Sequence, residues 1–292
     1  TEFNDAVTSY IFAGFDSSNN KVIVAYQDSH DGSGGRAKVA TISGTSISFG
    51  SEATFNSGAT LHPQIAFDSN VNKVIIMYED DANSDYGTYV VGTVSGTSIS
   101  FGSEIVFEAA AVEDLGIAFD SNANRMVMVY QDQGNSNYGT AIVGTVSGSS
   151  ISFGTPTVFE SSTTGYMSGA FDSNNGKVFF CFRGASNYGR SVVGTVSGTS
   201  ISFGSAVVFE SAEISHVDMA YDTNAQKTLV VYRDNGNSNY GTGIVATISG
   251  TSVSFGTPSV WESATVEQNT VVYDSSAQKH AIFFKDVGDS GK

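Results

Sequence analysis

The residues best suited to chemistry recur together at fixed spacing. Segments of the form Asp-x-x-Asn-Ser-Asn/Asp-Tyr-Gly bring Asp80 and Tyr86, Asp132 and Tyr138, and Asp234 and Tyr240 close in sequence, and a shorter version ends on Tyr188. Asn135, Asn137, Asn237 and Asn239 lie inside these segments, and Glu108, Glu160, Glu210 and Glu262 follow later in each copy. This combination suits carbohydrate. A tyrosine ring stacks on the C–H face of a sugar, and amides and carboxylates bond its hydroxyls. The same residues can equally serve the scaffold, since Asp and Asn side chains bond nearby backbone amides in turns.

Catalytic chemistry is less well supplied. A glycosidase needs two carboxylates on opposite sides of one bond, and an active site is normally unique, whereas these carboxylates repeat. His30, His62, His216 and His280 fall at unrelated positions and form neither a triad nor a metal set. Calcium is the one cofactor the acids could hold. The densest group, Glu79-Asp80-Asp81, does not recur and contains no Asp-x-Asp-x-Asp loop, so no cofactor is expected. Cys181, the single cysteine, sits in Val178-Phe179-Phe180-Cys181-Phe182 and reads as a buried, inert thiol. Glycine-rich phosphate motifs are absent.

Lys and Arg total 13 against 29 Asp and Glu, a formal charge of −16. Such a chain lacks the basic surface that releases counterions from nucleic acid, and anionic membranes would repel it. No apolar run of about 18 residues exists to span a bilayer.

The elements that must position these residues come from an internal repeat. The pairs Phe15-Asp16, Phe67-Asp68, Phe119-Asp120, Phe171-Asp172, Tyr221-Asp222 and Tyr273-Asp274 are separated by 52, 52, 52, 50 and 52 residues. The short step lies in the polar loop of unit four, Arg183 to Tyr188, which lacks two residues. Each unit reads as four strands. The first is short and ends on the aromatic-Asp pair. An Asp-Ser-Asn turn leads to a second strand that is apolar throughout, as in Met126 to Tyr130, and hence buried on both faces. The polar loop, a third strand and a tight Ser-Gly turn follow. The fourth strand alternates, as in Ser150-Ile151-Ser152-Phe153, with a bulge or bend at the next Gly. A polar linker then leads to the next unit.

Four short strands per unit of about 50 residues, without a helix signal, specify an all-β protein and a β-propeller. The expected architecture is a single domain over 1–292, a six-bladed β-propeller of four-stranded antiparallel blades. The units are 3–54, 55–106, 107–158, 159–208, 209–260 and a partial 261–292. A β-solenoid is disfavoured because its rungs are normally shorter. Unit six stops inside its polar loop, so its open edge is expected to be met by more of a longer chain or by a neighbouring chain. The first residue is Thr, which reads as a processed product or a fragment.

Ile117-Ala118-Phe119-Asp120-Ser121-Asn122 before Arg125, running on to Tyr130-Gln131-Asp132, resembles the repeats of sialidase-like (BNR-type) propellers. Val91-Gly92-Thr93-Val94-Ser95-Gly96-Thr97-Ser98-Ile99-Ser100-Phe101 resembles repeat arrays of phage tail-fibre and bacterial surface proteins. The resemblance implies a propeller on a virion or cell surface. It does not carry sialidase activity. The Ser-x-Asp-x-Gly-x-Thr-Trp box is missing, and Arg36, Arg125, Arg183, Arg190 and Arg233 form no evident triad. In an up-and-down blade the polar loops and the linkers share one face. The reading reached from sequence is therefore a non-catalytic, extracellular propeller that binds glycans multivalently through Tyr86, Tyr138, Tyr188, Tyr240 and their neighbours. A structural module of a fibre or appendage is the alternative, and a glycoside hydrolase the third.

Overall fold

The computed structural model describes residues 3–30 and 32–287. Among these residues all regular structure is β apart from three single-turn 3-10 helices, and no helix is long and apolar enough to cross a membrane. Unit one supplies β1 (Thr8–Asp16), β2 (Lys21–Asp28), β3 (Gly34–Ser43) and β4 (Ser46–Phe49). Unit two follows with β5 (Ala53–Asp68), β6 (Lys73–Asp80), β7 (Tyr86–Ser95) and β8 (Ser98–Phe101). Unit three has β9 (Ile105–Asp120), β10 (Arg125–Asp132), β11 (Tyr138–Ser147) and β12 (Ser150–Phe153). Unit four has β13 (Thr157–Thr163), β14 (Gly165–Asp172), β15 (Lys177–Arg183), β16 (Tyr188–Ser197) and β17 (Ser200–Phe203). Unit five has β18 (Val207–Asp222), β19 (Lys227–Asp234), β20 (Tyr240–Ser249) and β21 (Ser252–Phe255), and unit six β22 (Ser259–Asp274) and β23 (Lys279–Asp286).

All pairing is antiparallel and repeats from unit to unit. In unit three, the C-terminal half of β9 pairs β10, β10 pairs β11, and β11 pairs both β12 and β13. The outer strand is thus built in two pieces, β12 and β13, separated at Gly154, whose N–H bonds Val143 O at 2.9 Å. The polar linker expected between units is mostly extended chain. β5, β9, β18 and β22 each run unbroken for 16 residues, beginning as the outer strand of one unit and ending as the inner strand of the next. Only in unit four is this strand interrupted, at Thr164 between β13 and β14. That break divides the strands into a 13-stranded and a 10-stranded sheet.

The apolar second strands form the core. Met126, Val127, Met128, Val129 and Tyr130 are all fully buried. Their alternate faces meet different neighbours: Met126, Met128 and Tyr130 pack on Ile75, Met77, Tyr89 and Val91 of unit two, while Val127 and Val129 pack on Met167, Val178 and Phe180 of unit four. Each such side chain contributes about 1.5–3 kcal/mol on burial, so the core is the sum of unit-to-unit contacts. Asp218 adds a polar tie at the inner strands. Its carboxylate accepts Ser168 Oγ of unit four (2.7 Å) and Thr270 Oγ1 (2.7 Å) and Val271 N (2.9 Å) of unit six.

The Asp-Ser-Asn turns form at the opposite end from the polar loops. Asp120 Oδ1 accepts the amides of Asn122 (3.0 Å) and Ala123 (2.9 Å), and Asn124 takes φ 54°. The same Asx turn recurs at Asp16, Asp68, Asp172, Asp222 and Asp274.

Candidate functional site

The polar loops of units two, three and five share one backbone design. After the second strand the chain makes a tight turn and then places two residues in the left-handed region: Ser84 and Asp85, Ser136 and Asn137, Ser238 and Asn239, with φ between 58 and 62°. Short polar side chains tolerate that region best. The second residue of each pair turns its carbonyl to the next unit. Asp85 O accepts Val112 N (2.9 Å), Asn137 O accepts Thr164 N (3.1 Å) and Asn239 O accepts Val266 N (3.1 Å). These bonds place the loops and the unit junctions at the same end.

The aspartates are committed to the loops. Asp132 is 9% exposed and accepts the amides of Asn135 and Gly134; burial pushes its carboxyl up, and those amides pull it back. Asp234 accepts Asn237 N at 3.0 Å, and burial followed by the Glu210 charge raises its carboxyl. Asp80 takes Asn56 Nδ2 at 3.3 Å with the Asn83 and Ala82 amides, and burial again raises it. Of the glutamates, Glu108 accepts the buried Tyr130 hydroxyl (3.0 Å), Glu210 that of Tyr232 (3.3 Å), and Glu160 pairs with Arg190 (3.1 Å).

The glycine of the Tyr-Gly pair is set by a close approach. A Cβ on Gly139 would come within 2.6 Å of the Phe159 ring and 2.9 Å of Thr164. The aromatic that ends each outer strand thus lies over the glycine that opens the third strand. The tyrosines themselves stay uncommitted. Tyr86, Tyr138 and Tyr240 are half-buried, Tyr188 is 36% exposed, and among the described residues none of their hydroxyls is bonded within the protein. The side-chain amides of Asn135, Asn137 and Asn237 are likewise unbonded, while Asn239 Oδ1 accepts Arg233 Nε at 3.1 Å. Asp132 stands directly across the strand pair from Tyr138, as Asp80 does from Tyr86 and Asp234 from Tyr240. Each set is a cluster local to its unit.

A second group escaped the sequence reading. Every inner strand carries a bulge whose central residue has φ 47–50°: Tyr10, His62, Asp114, Tyr166, His216 and Gln268. None is glycine, and they differ in a chain that otherwise repeats itself, which is the signal that could have found them. They adjoin one another. Tyr10 and His62 are 4.5 Å apart ring to ring, Asp114 accepts the Tyr166 amide, and Tyr166 and His216 are 5.1 Å apart. His62 Nδ1 lies 3.1 Å from Glu79; burial lowers the imidazole, but Glu79, Asp114 and Glu113 together leave it raised. Burial and the Arg233 charge hold His216 low, hence neutral at pH 7.

Among the described residues no group of three or more His, Cys, Asp or Glu is arranged to hold a metal ion. Of the Glu79-Asp80-Asp81 run, Glu79 faces His62, Asp80 caps its loop and Asp81 opens an exposed turn. Cys181 is fully buried, which pushes its thiol well up and leaves no thiolate for chemistry.

Comparison of this architecture with solved proteins gives a consistent answer. The Burkholderia pseudomallei lectin BP39L superposes with a TM-score of 0.66 at 13% identity, over 94% of this chain and 78% of that one. The Aleuria aurantia lectin, solved as an N224Q mutant with Fucα1-6GlcNAc, superposes with a TM-score of 0.60 at 14% identity, over 96% and 89%. The fold is that of lectin propellers. A protein of unknown function from Dyadobacter fermentans shares it as well, with a TM-score of 0.62 at 10% identity, over 92% and 88%. No family model and no curated protein matches the sequence. At these identities the likeness is one of fold alone, and these structures do not show the resemblance to sialidase-like or tail-fibre repeats expected from the sequence.

Proposed function

We propose that the chain is a non-catalytic, six-bladed propeller that binds glycans on its loop face, one weak site per polar loop, in an extracellular setting. One observation carries this reading. On a single face, the tyrosine hydroxyls and the Asn135, Asn137 and Asn237 amides are unbonded, while the neighbouring aspartates hold the loops rigid. Free aromatic faces and amides on a fixed backbone are what sugar recognition needs, and repetition turns weak sites into avidity. The lectin character of the structural relatives points the same way.

The test is a glycan array read with the wild type and with Tyr86, Tyr138 and Tyr240 replaced by Ala. Binding should fall at least tenfold with an unchanged circular dichroism spectrum. Undiminished binding by the triple variant would overturn the assignment.

A second reading, an assembly module that meets a neighbouring chain, is favoured by the two end faces. Ile11, Ile42 and Ile47 of unit one are 49, 60 and 38% exposed, whereas Leu115, Val146 and Ile151, their counterparts in unit three, are 2, 4 and 7% exposed. On unit six, Phe283 is 59% exposed, and Val129 and Val231 at the same repeat position are fully buried. A blade of the same kind fits either face. Size-exclusion chromatography with light scattering separates the two readings, because a lectin needs no partner and an assembly module self-associates.

A further inference from the structure

The inner-strand bulges carry two histidines at the same repeat position, His62 of unit two and His216 of unit five. Their settings match in shape. Each ring packs against the tyrosine at the bulge of the preceding unit, His62 on Tyr10 at 4.5 Å and His216 on Tyr166 at 5.1 Å between centroids. Each histidine also follows a residue that pairs across to the end of its unit's second strand, Leu61 opposite Glu79 and Ser215 opposite Arg233. There the two part. A carboxylate stands beside His62, and a guanidinium charge bears on His216.

The charged groups around His62 come from several strands. β1 brings the Tyr10 ring, and β6 brings Glu79, whose Oε2 lies 3.1 Å from His62 Nδ1. β9 brings Glu113 and Asp114. On β2 the neutral Gln27 donates to Thr60 O at 2.8 Å. Further out, Asp85 of the polar loop bears on Glu79, and the Arg183 charge faces Asp114. Three carboxylates from two strands thus converge on one imidazole. Burial disfavours the charged ring of His62, but Glu79, Asp114 and Glu113 outweigh it; at His216 burial and Arg233 act in the same direction and hold the ring neutral.

The bulges adjoin the bonds that hold the loops. Thr60 N, just before His62, donates to Ser33 O in the loop of unit one at 3.0 Å. Val112 N, just before Asp114, donates to Asp85 O in the loop of unit two at 2.9 Å. Asp85 directly precedes Tyr86. A change of charge at His62 therefore acts on β5 and β9 where those strands carry the loops. Without that charge, Glu79, Glu113 and Asp114 repel one another in a partly buried site, where charges are weakly screened.

We propose that His62 is a pH-operated tie between units one, two and three: the protonated imidazole holds the carboxylates of β6 and β9 together and fixes the polar loops of units one and two, and the neutral imidazole releases them. The tie is complete below the ordinary imidazole value of 6.5 and is lost as pH rises through the higher value of the folded protein. The loop of unit five has no such switch. It bonds to β22, whose bulge carries Gln268, and Glu267 beside it is already paired with Arg233 and Lys285. The presentation of Tyr86 then varies with pH while that of Tyr240 does not, whatever the loops bind.

Two NMR measurements test the tie. In a titration of the histidine rings, His62 should bind its proton at least about tenfold more tightly than His216. In amide exchange, corrected for the intrinsic effect of pH, Thr60 and Val112 should lose protection about threefold or more between about pH 6 and about pH 9. Val266, the equivalent donor to Asn239 O, should stay constant. Two variants use residues that the repeat itself supplies. His62→Tyr installs the side chain that units one and four carry at φ 49 and 48°, and should make the protection independent of pH. Glu79→Gln, matching Gln27 and Gln131, should weaken proton binding by His62 and move the loss of protection to lower pH. A His62 that holds its proton no more tightly than His216 overturns the tie, as does a pH-dependent loss of protection that persists in His62→Tyr. If His62→Tyr does not fold, Glu79→Gln decides: a loss of protection that fails to follow the His62 titration overturns the tie as well.

Discussion

Asp218 ties three inner strands through one carboxylate, and removing it should be costly in a defined way. In Asp218→Ala the Ser168 and Thr270 hydroxyls can rotate to other acceptors, but the Val271 N–H, on a residue that is 4% exposed, cannot. Hydrogen bonds to a charged group contribute about 1.5–3 kcal/mol each, and a buried donor left unpaired costs about 1–3 kcal/mol. The loss should therefore be about 3–5 kcal/mol. Unfolding entropy near 2.1 cal/mol/K per residue gives roughly 0.6 kcal/mol/K for 292 residues, so Tm should fall by about 5–8 °C. The loss should also be localised. Hydrogen exchange should speed up first in the Val266–Asp274 half of β22 and in β23, which meet the rest of the protein through unit five. Asp218→Asn keeps one oxygen and should cost less. The assays are thermal denaturation and hydrogen-exchange mass spectrometry. A Tm within about 1 °C of wild type, with unchanged exchange in β22, would refute the assigned role of this carboxylate.

The pH dependence should run opposite to that of most proteins. Burial raises the carboxyls of Asp68, Glu79, Asp80, Asp114, Asp132, Asp218 and Asp234, so the native state holds protons that the unfolded chain has released, and stability falls as pH rises through that window. The raised imidazole of His62 adds stability that is present below its ordinary 6.5 and lost as pH rises through its folded value; His216, held low, acts the other way. Tm measured from pH 7.5 down to 5 should rise, and a steady decline would contradict the burial argument. Gly139→Ala should cost about 1–3 kcal/mol by overpacking against Phe159, read from denaturant midpoints, whereas Gly148→Asn, in an open turn at φ 64°, should cost much less. Phe283→Asp should leave Tm near wild type, because the side chain is 59% exposed, while Val231→Asp at the same repeat position should unfold the protein or nearly so; equal effects would mean the unit-six face is covered in solution.

Much of the scaffold was legible because its causes are local. The uninterrupted apolar run from Met126 to Tyr130 can only be a strand covered on both sides, and the Asp120 turn carries its own hydrogen-bonding rule. The long strands were not legible, because Glu108-Ala109-Ala110-Ala111-Val112-Glu113 shows no strand alternation yet is extended: its backbone passes from pairing with β7 of unit two to pairing with β10 of unit three, and side-chain pattern says nothing about that. The loop residues were ambiguous by nature. Asp132 and Tyr138 recur together, and only their bonding distinguishes a residue consumed by the turn from one left open.

The 16-residue strands put the covalent repeat and the packed repeat out of phase. β9 closes unit two and opens unit three, so no cut in the chain releases a unit with all its strands. Each junction is nevertheless the same junction. Excising any 52 consecutive residues within the run of regular units would fuse one outer strand to another inner strand in the register already in use. The number of units in such a protein can therefore change by duplication or loss without redesign of any join, and only the two end faces would have to adapt to a ring of another size.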